Sequence, residues 1–132
     1  MYGFDSTSDQ VEAIRSRICF LRDDIVLYRE MLVQSLFHLD LFQEELIRVS
    51  KTLPAIALLI DLIEAKPPNV CTRERLREIF CGLTNLRAAA VFTERNFVLN
   101  IAAKFVLNGL GLRSYTIHTT REEALKALAN AG

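Results

Sequence analysis

Residues 55–61, Ala-Ile-Ala-Leu-Leu-Ile-Asp, constrain the fold of this chain more than any other stretch. The run follows Pro54 and is apolar at every position except its last. It is too short for an isolated helix of such hydrophobicity. A strand that is covered on both faces has this pattern, and such strands occur in largely parallel sheets with helices packed against them. The sequence therefore predicts an α/β fold.

The other segments extend this prediction to a complete order of elements. Residues 15–21 and 25–31 are apolar-rich runs separated by a short acidic turn, which is typical of an antiparallel hairpin. A helical pattern then begins with Asp40 as the expected N-cap and ends near Lys51. We expect a single-layer, mixed, largely parallel five-stranded sheet with an N-terminal β-hairpin and four helices, in the order β-β-α-β-α-β-α-β-α. The remaining predicted helices are residues 72–81, 96–108 and 124–129, and the remaining strands are residues 87–92 and 114–118.

Composition and charge limit the class of protein. At 132 residues the chain has the length of one domain, which we expect to cover residues 15–132 after a flexible N-terminal segment, residues 1–14. Its 16 lysines and arginines are balanced by 16 aspartates and glutamates, so it lacks the positive charge typical of nucleic-acid-binding proteins. Zero net charge with a mean hydropathy of +0.21 favours association, so we expect a partner or a ligand to cover some apolar surface.

The sequence also bears on location and on the cysteines. The first ten residues have neither the basic nor the apolar region of a secretory signal, and no run reaches the ~20 apolar residues of a membrane span. We therefore expect a cytoplasmic protein without a transmembrane segment. Cys19, Cys71 and Cys81 are odd in number and widely spaced, which does not fit a disulfide framework. We expect reduced, mostly buried thiols.

The motifs of common enzyme classes are missing. The chain has no nucleophile elbow, no P-loop and no dinucleotide fingerprint, since the pair Gly109 and Gly111 follows a predicted helix instead of a strand. A zinc site built from Cys71, Cys81 and a histidine is the alternative to buried thiols and an ordinary surface histidine, and we favour the ordinary interpretation. We predict a protein that is not an enzyme and that has no metal and no cofactor.

Asp61, Thr72 and two arginines form a candidate anion site. Asp61 ends a predicted strand, where open α/β sheets bind ligands. It is therefore either a site carboxylate or, as we favour, an acceptor for N–H groups of the following turn. Thr72 begins a predicted helix and is either a phospho-acceptor or, more simply, its N-cap. Arg73 and Arg77 share a face of this helix, where they either pair with a phosphate or an acidic partner or lie in solvent. An enzyme acting on a phosphorylated substrate would have to use these same residues.

The predicted third helix, residues 96–108, is the most informative segment for function. Its polar residues recur every four positions as one narrow stripe, and almost all of the remaining surface is apolar. A helix that covers a sheet needs an apolar face only a little wider than about 100°. The apolar surface of the helix beyond this face must contact another helix of the same chain, a second subunit or an apolar ligand. The candidate interface residues are Phe97, Leu99, Ile101, Phe105 and Val106.

The C-terminal half carries a recognisable pattern. Its segments are residues 86–93 (LRAAAVFT), 96–107 (NFVLNIAAKFVL) and 115–128 (YTIHTTREEALKAL). They resemble bacterial STAS-like proteins, which are small domains similar to anti-sigma-factor antagonists, and in particular the subgroup described as STAS/CRAL-TRIO-like. The apolar strand that ends at Asp61 and the N-terminal hairpin fit the same family.

The resemblance implies a non-catalytic module that acts through protein–protein contacts and often self-associates. Together with the apolar third helix and the zero net charge, it leads us to expect a cytoplasmic regulatory module that forms a homodimer through this helix. In the anti-sigma-factor antagonists, a partner kinase phosphorylates a Ser or Thr at the start of the helix that follows the strand-ending Asp. Only Thr72 matches that residue by position and hydroxyl. The similarity to CRAL-TRIO proteins implies an alternative, which is binding or sensing of a small apolar, lipid-like ligand in a cleft.

Overall fold

A five-stranded mixed sheet organises the chain. The computed structural model describes residues 12–22, 24–29, 36–64, 69–93, 97–108 and 115–130, and a helical turn at residues 12–15 precedes the first strand. The elements are β1 (Ile18–Arg22), β2 (Ile25–Arg29), α1 (Leu36–Ser50), β3 (Ile56–Asp61), α2 (Val70–Cys81), β4 (Leu86–Phe92), α3 (Phe97–Asn108), β5 (Tyr115–His118) and α4 (Arg121–Asn130).

The strands lie in the sheet in the same order as in the sequence, β1-β2-β3-β4-β5. β1 and β2 form the antiparallel hairpin, and β2, β3, β4 and β5 run parallel to one another. The predicted α/β fold with a mixed, largely parallel five-stranded sheet and an N-terminal hairpin is thereby confirmed.

The three crossover helices cover one face of the sheet. Each crossover moves one strand further in the same direction, so right-handed connections place α1, α2 and α3 together on a single face. The main core cluster joins these helices to the strands, with Phe42, Ile79 and Ala103 as representatives of the three helices. Tyr28 from β2 is fully buried in this cluster and lies with its ring 4.7 Å from that of Phe42.

The opposite face is packed against α4. This helix follows the last strand, so it is not a crossover and can fold back across β3, β4 and β5. The strands present small side chains to it, including Ala57, Ala88 and Ala90, while α4 contributes the buried Ala124 and Leu128. Small residues on both sides allow the helix to lie close to the sheet.

Three helices begin earlier than the sequence predicts, namely α1, α2 and α4, and α4 begins at Arg121 instead of residue 124. α1 begins at Leu36, so Asp40 lies inside the helix and is not its N-cap; the buried Leu39 belongs to the same apolar face as Phe42. α2 begins at Val70, because Asn69 acts as its N-cap. Thr120 caps the start of α4, since its Oγ1 accepts a hydrogen bond from the N–H of Glu123 at 3.3 Å.

The N-terminal boundary of the domain also differs from the prediction. Residues 12–15 form a helical turn, and Ile14 within it is only 1% exposed and belongs to the main core cluster. The predicted flexible segment, residues 1–14, is therefore too long at its C-terminal end, because an apolar side chain there packs against the sheet. Residues 1–11 lie outside the described part of the chain.

The amino-terminal edge of the sheet carries a bidentate ion pair. Asp24 lies in the turn of the hairpin, and its carboxylate accepts hydrogen bonds from Nε and Nη2 of Arg87 at 2.8 and 3.1 Å. The register of β3 and β4 shifts at Arg87, between the pairs Ile56–Leu86 and Ala57–Ala88. Such a bulge redirects a side chain, and here Arg87 reaches past β3 to the hairpin. The hydrogen bond from Arg87 lowers the pKa of Asp24 below its usual value.

Candidate functional site

Thr72 lies inside the first turn of α2. Asn69 is the N-cap, and its Oδ1 accepts a hydrogen bond from the backbone N–H of Thr72 at 2.8 Å. Thr72 is only 7% exposed and belongs to the buried face of the helix together with Leu76. The prediction of Thr72 as the cap is therefore wrong, since the short polar side chain before Val70 has that role. A kinase could reach this hydroxyl only if the start of α2 opened.

Asp61 stabilises the turn that follows β3. Its Oδ1 accepts a hydrogen bond from the backbone N–H of Ile63 at 2.9 Å, which is the contact of an Asx turn. This is the interpretation that the sequence favours over a site carboxylate.

The arginines of α2 do not form an open anion site. Arg73 and Arg77 are both half-buried. Nη1 of Arg77 lies 3.8 Å from Oε2 of Glu74 on the same helix. A phosphate at the start of the helix would find these side chains already involved in other contacts.

The topology bears on whether the described part of the chain forms a ligand crevice at Asp61. Open α/β sheets form such a crevice where adjacent crossovers lie on opposite faces of the sheet. In the described part of this chain, the crossovers through α1, α2 and α3 all lie on one face, so β3 and β4 do not border such a point. Among the described elements, the strands next to Asp61 therefore lack the reversal of crossover direction that forms such a crevice.

The helix α3 has one side buried and one side exposed. Ala102 and Ala103 are buried, and they face the core between α2 and β5. Val98 and Ile101 are 54% and 53% exposed, and the exposed Lys104 continues the same series at intervals of three residues. We call Val98, Ile101 and Lys104 the α3 stripe. It presents two large apolar side chains to solvent on a helix that already packs against the core on its other side.

Of the five predicted interface residues, Ile101 can be placed. Its side chain is on the exposed side of α3, as an interface residue requires. The other four side chains lie outside the described part of the structure, namely those of Phe97, Leu99, Phe105 and Val106. Val98 is exposed to the same extent as Ile101, although the sequence prediction omits it. Its spacing of three residues from Ile101 is the signal that could have identified it.

A row of exposed residues on α2 lies beside the α3 stripe. α2 and α3 are packed next to each other, and both begin at the carboxyl edge of the sheet because both follow parallel strands. The exposed positions of α2 recur at helical spacing and include two carboxylates. We call this set the α2 stripe, and it consists of Val70, Cys71, Glu74, Glu78 and Cys81.

The cysteines differ from the prediction of buried thiols. All three are exposed, and none of them forms a disulfide. Burial depends on which strand forms the edge of the sheet and on which side of a helix faces outward, and both are properties of the tertiary fold. The zinc alternative also fails on geometry, because ten residues of helix separate Cys71 from Cys81 by about 15 Å. Among the described residues, no group of three or more potential metal ligands is found.

A charged groove beside α1 was not anticipated from the sequence. It has a volume of about 290 Å³ and lies between the helical turn at residues 12–15 and α1. Glu45 is only 5% exposed, and its Oε1 accepts a hydrogen bond from Nε of Arg48 at 3.0 Å and lies 3.6 Å from Nε of Arg15. The hydrogen bonds between Arg48 and the Glu45 carboxylate raise the pKa of Arg48 above its ordinary value. Four of the six lining residues are charged, which does not suit an apolar ligand.

Two further findings bear on the class of protein. Comparison with protein-family models and with curated proteins gives no match for this chain. Within the described ranges, every helix is too short or too polar to cross a lipid bilayer.

Proposed function

We propose that this chain is a non-catalytic, STAS-like protein–protein interaction module, acting in regulation in the bacterial cytoplasm, that self-associates through α3. The α/β architecture with a five-stranded mixed sheet and an N-terminal hairpin is compatible with such a module. Three ion pairs involve charged residues of α1 and α2, namely Glu45–Arg48, Asp40–Arg75 and Glu74–Arg77, so these side chains already have partners within the chain. A homodimer is the simplest assembly for a chain with zero net charge.

The exposure of Val98 and Ile101 is the observation that supports this proposal. Full burial of such a side chain contributes about 1.5–3 kcal/mol. Because Val98 and Ile101 are each about half exposed, their burial in an interface would contribute about half of that free energy per side chain. Because a two-fold dimer buries each residue twice, four such side chains would contribute to association. The surface beside them is helical and regular, which suits helix-to-helix packing.

The proposal is tested by sedimentation equilibrium on the full chain and on the variant Ile101→Asp. We expect the wild type to dimerise at micromolar concentrations, and we expect Ile101→Asp to shift it to monomer because a carboxylate would be desolvated in the interface. Phe37→Asp is the matched control, since Phe37 is 45% exposed on α1, away from the surface formed by α2 and α3. Far-UV circular dichroism of each variant verifies folding.

The possible results separate clearly. Loss of dimer in Ile101→Asp, with retention in Phe37→Asp, supports self-association through α3. A wild type that remains monomeric at about 100 μM, or a dimer that tolerates Ile101→Asp, refutes it.

A further inference from the structure

β1 is an edge strand, because in the described part of the chain it has a neighbouring strand on one side only. Its residues 18–21, Ile-Cys-Phe-Leu, include no charge and no proline. Edge strands usually carry such residues, which prevent a further strand from pairing with them. The side chains of Cys19 and Phe20 are exposed, the latter by 41%. The outer edge of β1 is therefore suited to the addition of another extended strand.

The hydrogen bonds of the hairpin show which backbone groups of β1 face outward. The N–H of Arg29 donates to the carbonyl of Arg17 at 3.0 Å, so these two residues form a hydrogen-bonded pair. Hydrogen-bonded and non-hydrogen-bonded pairs alternate along an antiparallel ladder, and the next pair is Ile18 with Tyr28. The N–H and C=O groups of Ile18 and Phe20 therefore point away from β2, toward the open edge.

We infer that the occupant of this edge is β1 of a second copy of the chain, which pairs antiparallel about a two-fold axis centred on Cys19. In this register Ile18 lies opposite the partner's Phe20, and the two residues exchange their outward N–H and C=O groups. The symmetry repeats this exchange, so four backbone hydrogen bonds join the copies. Cys19 lies opposite the partner's Cys19 as a non-hydrogen-bonded pair, because its own backbone groups face β2.

The side chains favour a second copy as the occupant. Ile18 and Phe20 are two residues apart in the strand and so share one face of the sheet, the face on which Ile18 belongs to the main core cluster. The exposed ring of Phe20 thus comes to lie beside the partner's Ile18, which is an apolar cross-strand pair. Arg17 comes opposite the partner's Leu21, so this register keeps the arginines of the two copies apart.

The pairing is weak, and it is separate from the α3 stripe. β1 lies at one end of the sheet, whereas α3 packs against α2 and β5 toward the other end. The register shift between Phe20 and Arg22 ends the regular part of the strand, so residues 18–20 alone pair across the axis. Such an interface is smaller than that of a stable dimer. We therefore expect a covalent trap to detect it under conditions in which sedimentation at micromolar concentrations does not.

Cys19 makes the pairing testable by disulfide trapping. A non-hydrogen-bonded pair holds its Cα atoms about 4.5 Å apart, which is within the range that a disulfide spans. Cys71→Ser with Cys81→Ser leaves Cys19 as the only thiol of the full chain. This chain is treated with diamide, an oxidant that takes up the hydrogens of two thiols as the S–S bond forms. Non-reducing gel electrophoresis then follows the rate at which the linked dimer appears.

The matched control moves the thiol along the chain without changing the composition. It carries Ser16→Cys and Cys19→Ser in the same background, and Ser16 is exposed like Cys19. In the proposed register its two thiols are offset by six residues, or about 20 Å at 3.4 Å per residue. We expect this control to link at least about tenfold more slowly, because the pairing brings only the thiols of Cys19 within reach of each other.

Two further variants of the Cys19 chain test the hydrogen bonds and the location of the surface. Phe20→Pro removes one outward N–H from each copy and leaves the ladder with β2 intact, so it should reduce the linking rate to that of the control. Ile101→Asp should leave the rate unchanged, because α3 is not part of this surface. Far-UV circular dichroism verifies that each variant is folded.

The outcomes separate this inference from self-association through α3, on which it does not rest. Fast linking of the Cys19 chain that is lost in Phe20→Pro and retained in Ile101→Asp supports the pairing of β1. Equal rates for the Cys19 chain and the Ser16→Cys control overturn it, since random collisions would account for both. Failure of the Cys19 chain to link, or loss of linking in Ile101→Asp, also overturns it.

Discussion

The ion pair between Asp24 and Arg87 allows a quantitative prediction for Asp24→Asn. The substitution keeps the size of the side chain and removes its charge, so it weakens the two hydrogen bonds from Arg87 without creating a cavity. The pair joins residues 63 positions apart and links the hairpin turn to β4. Its loss therefore affects the attachment of the hairpin to the rest of the sheet.

The expected magnitude follows from the exposure of the two groups. The side chains are 33% and 27% exposed, so solvent screens much of the attraction. Exposed ion pairs contribute about 0.2–1 kcal/mol, and bidentate geometry favours the upper end of that range. We expect Asp24→Asn to lower the free energy of unfolding by about 1 kcal/mol at pH 7. With an unfolding entropy of about 2.1 cal/mol/K per residue, this lowers Tm by about 3–4 °C.

The effect has a defined pH dependence. Arg87 lowers the pKa of Asp24 in the folded state, so folding favours the charged carboxylate. The stabilisation is complete above the unfolded-state pKa of about 3.9 and is lost as the pH falls through the lower folded-state value. The difference in unfolding free energy between wild type and Asp24→Asn should be constant from pH 7 to about pH 5. It should shrink below about pH 4.

Urea denaturation followed by far-UV circular dichroism at pH 7, 5, 4 and 3 measures this difference. Asp40→Asn is the control, because Asp40 also contacts an arginine, Arg75, at 2.8 Å but is 62% exposed. We expect the control to cost less than Asp24→Asn at pH 7. A cost for Asp24→Asn below about 0.3 kcal/mol at pH 7, or one that persists undiminished at pH 3, would refute the reasoning.

Two further predictions concern α2 and the cysteines. Asn69→Ala removes the N-cap of α2 and should lower the free energy of unfolding by about 1 kcal/mol. Asn69→Asp keeps a capping side chain and should lower the free energy of unfolding by much less. If thermal denaturation shows the same loss of stability for both variants, Asn69 does not act as a cap. The exposed thiols of Cys19, Cys71 and Cys81 should all react with a thiol-specific chromogenic reagent in the native protein, giving the same total as in urea. A native total below that in urea would mean that at least one thiol is protected.

The order of elements could be predicted from the sequence because it depends on local periodicity. Residues 55–61 have the pattern of a strand covered on both faces, and β3 is indeed buried at five of its six positions. The polar-apolar alternation before Asp24 likewise predicts the hairpin. The wrong start predicted for α1 also has a local cause. Residues 36–39 fit the helical spacing of the residues that follow, so Asp40 resembles an N-cap only if these four residues are left out of the helix.

Contacts between distant residues could not be predicted in this way. No local pattern relates Asp24 to Arg87, and the register shift that directs Arg87 toward the hairpin is visible only once β3 and β4 are paired. The burial of Glu45 could be predicted in part, because it depends on helical periodicity. It follows Phe42 by three residues and precedes Val49 by four, so it lies on the buried face of α1. A charged residue at such a position is a signal that an ion pair offsets its burial, and here both arginine partners are themselves exposed.

The sequential order of the strands has a consequence for folding during synthesis. Each strand pairs with its neighbours in sequence, so the hairpin can form first and every later helix and strand can add to an existing edge without waiting for a distant segment. The helix α4 is the last described element to emerge from the ribosome, and it packs on the alanine-rich face of β3 and β4. A nascent chain that has formed β4 but not α4 therefore exposes that face. The interval before α4 docks is the stage at which this protein most needs protection from aggregation.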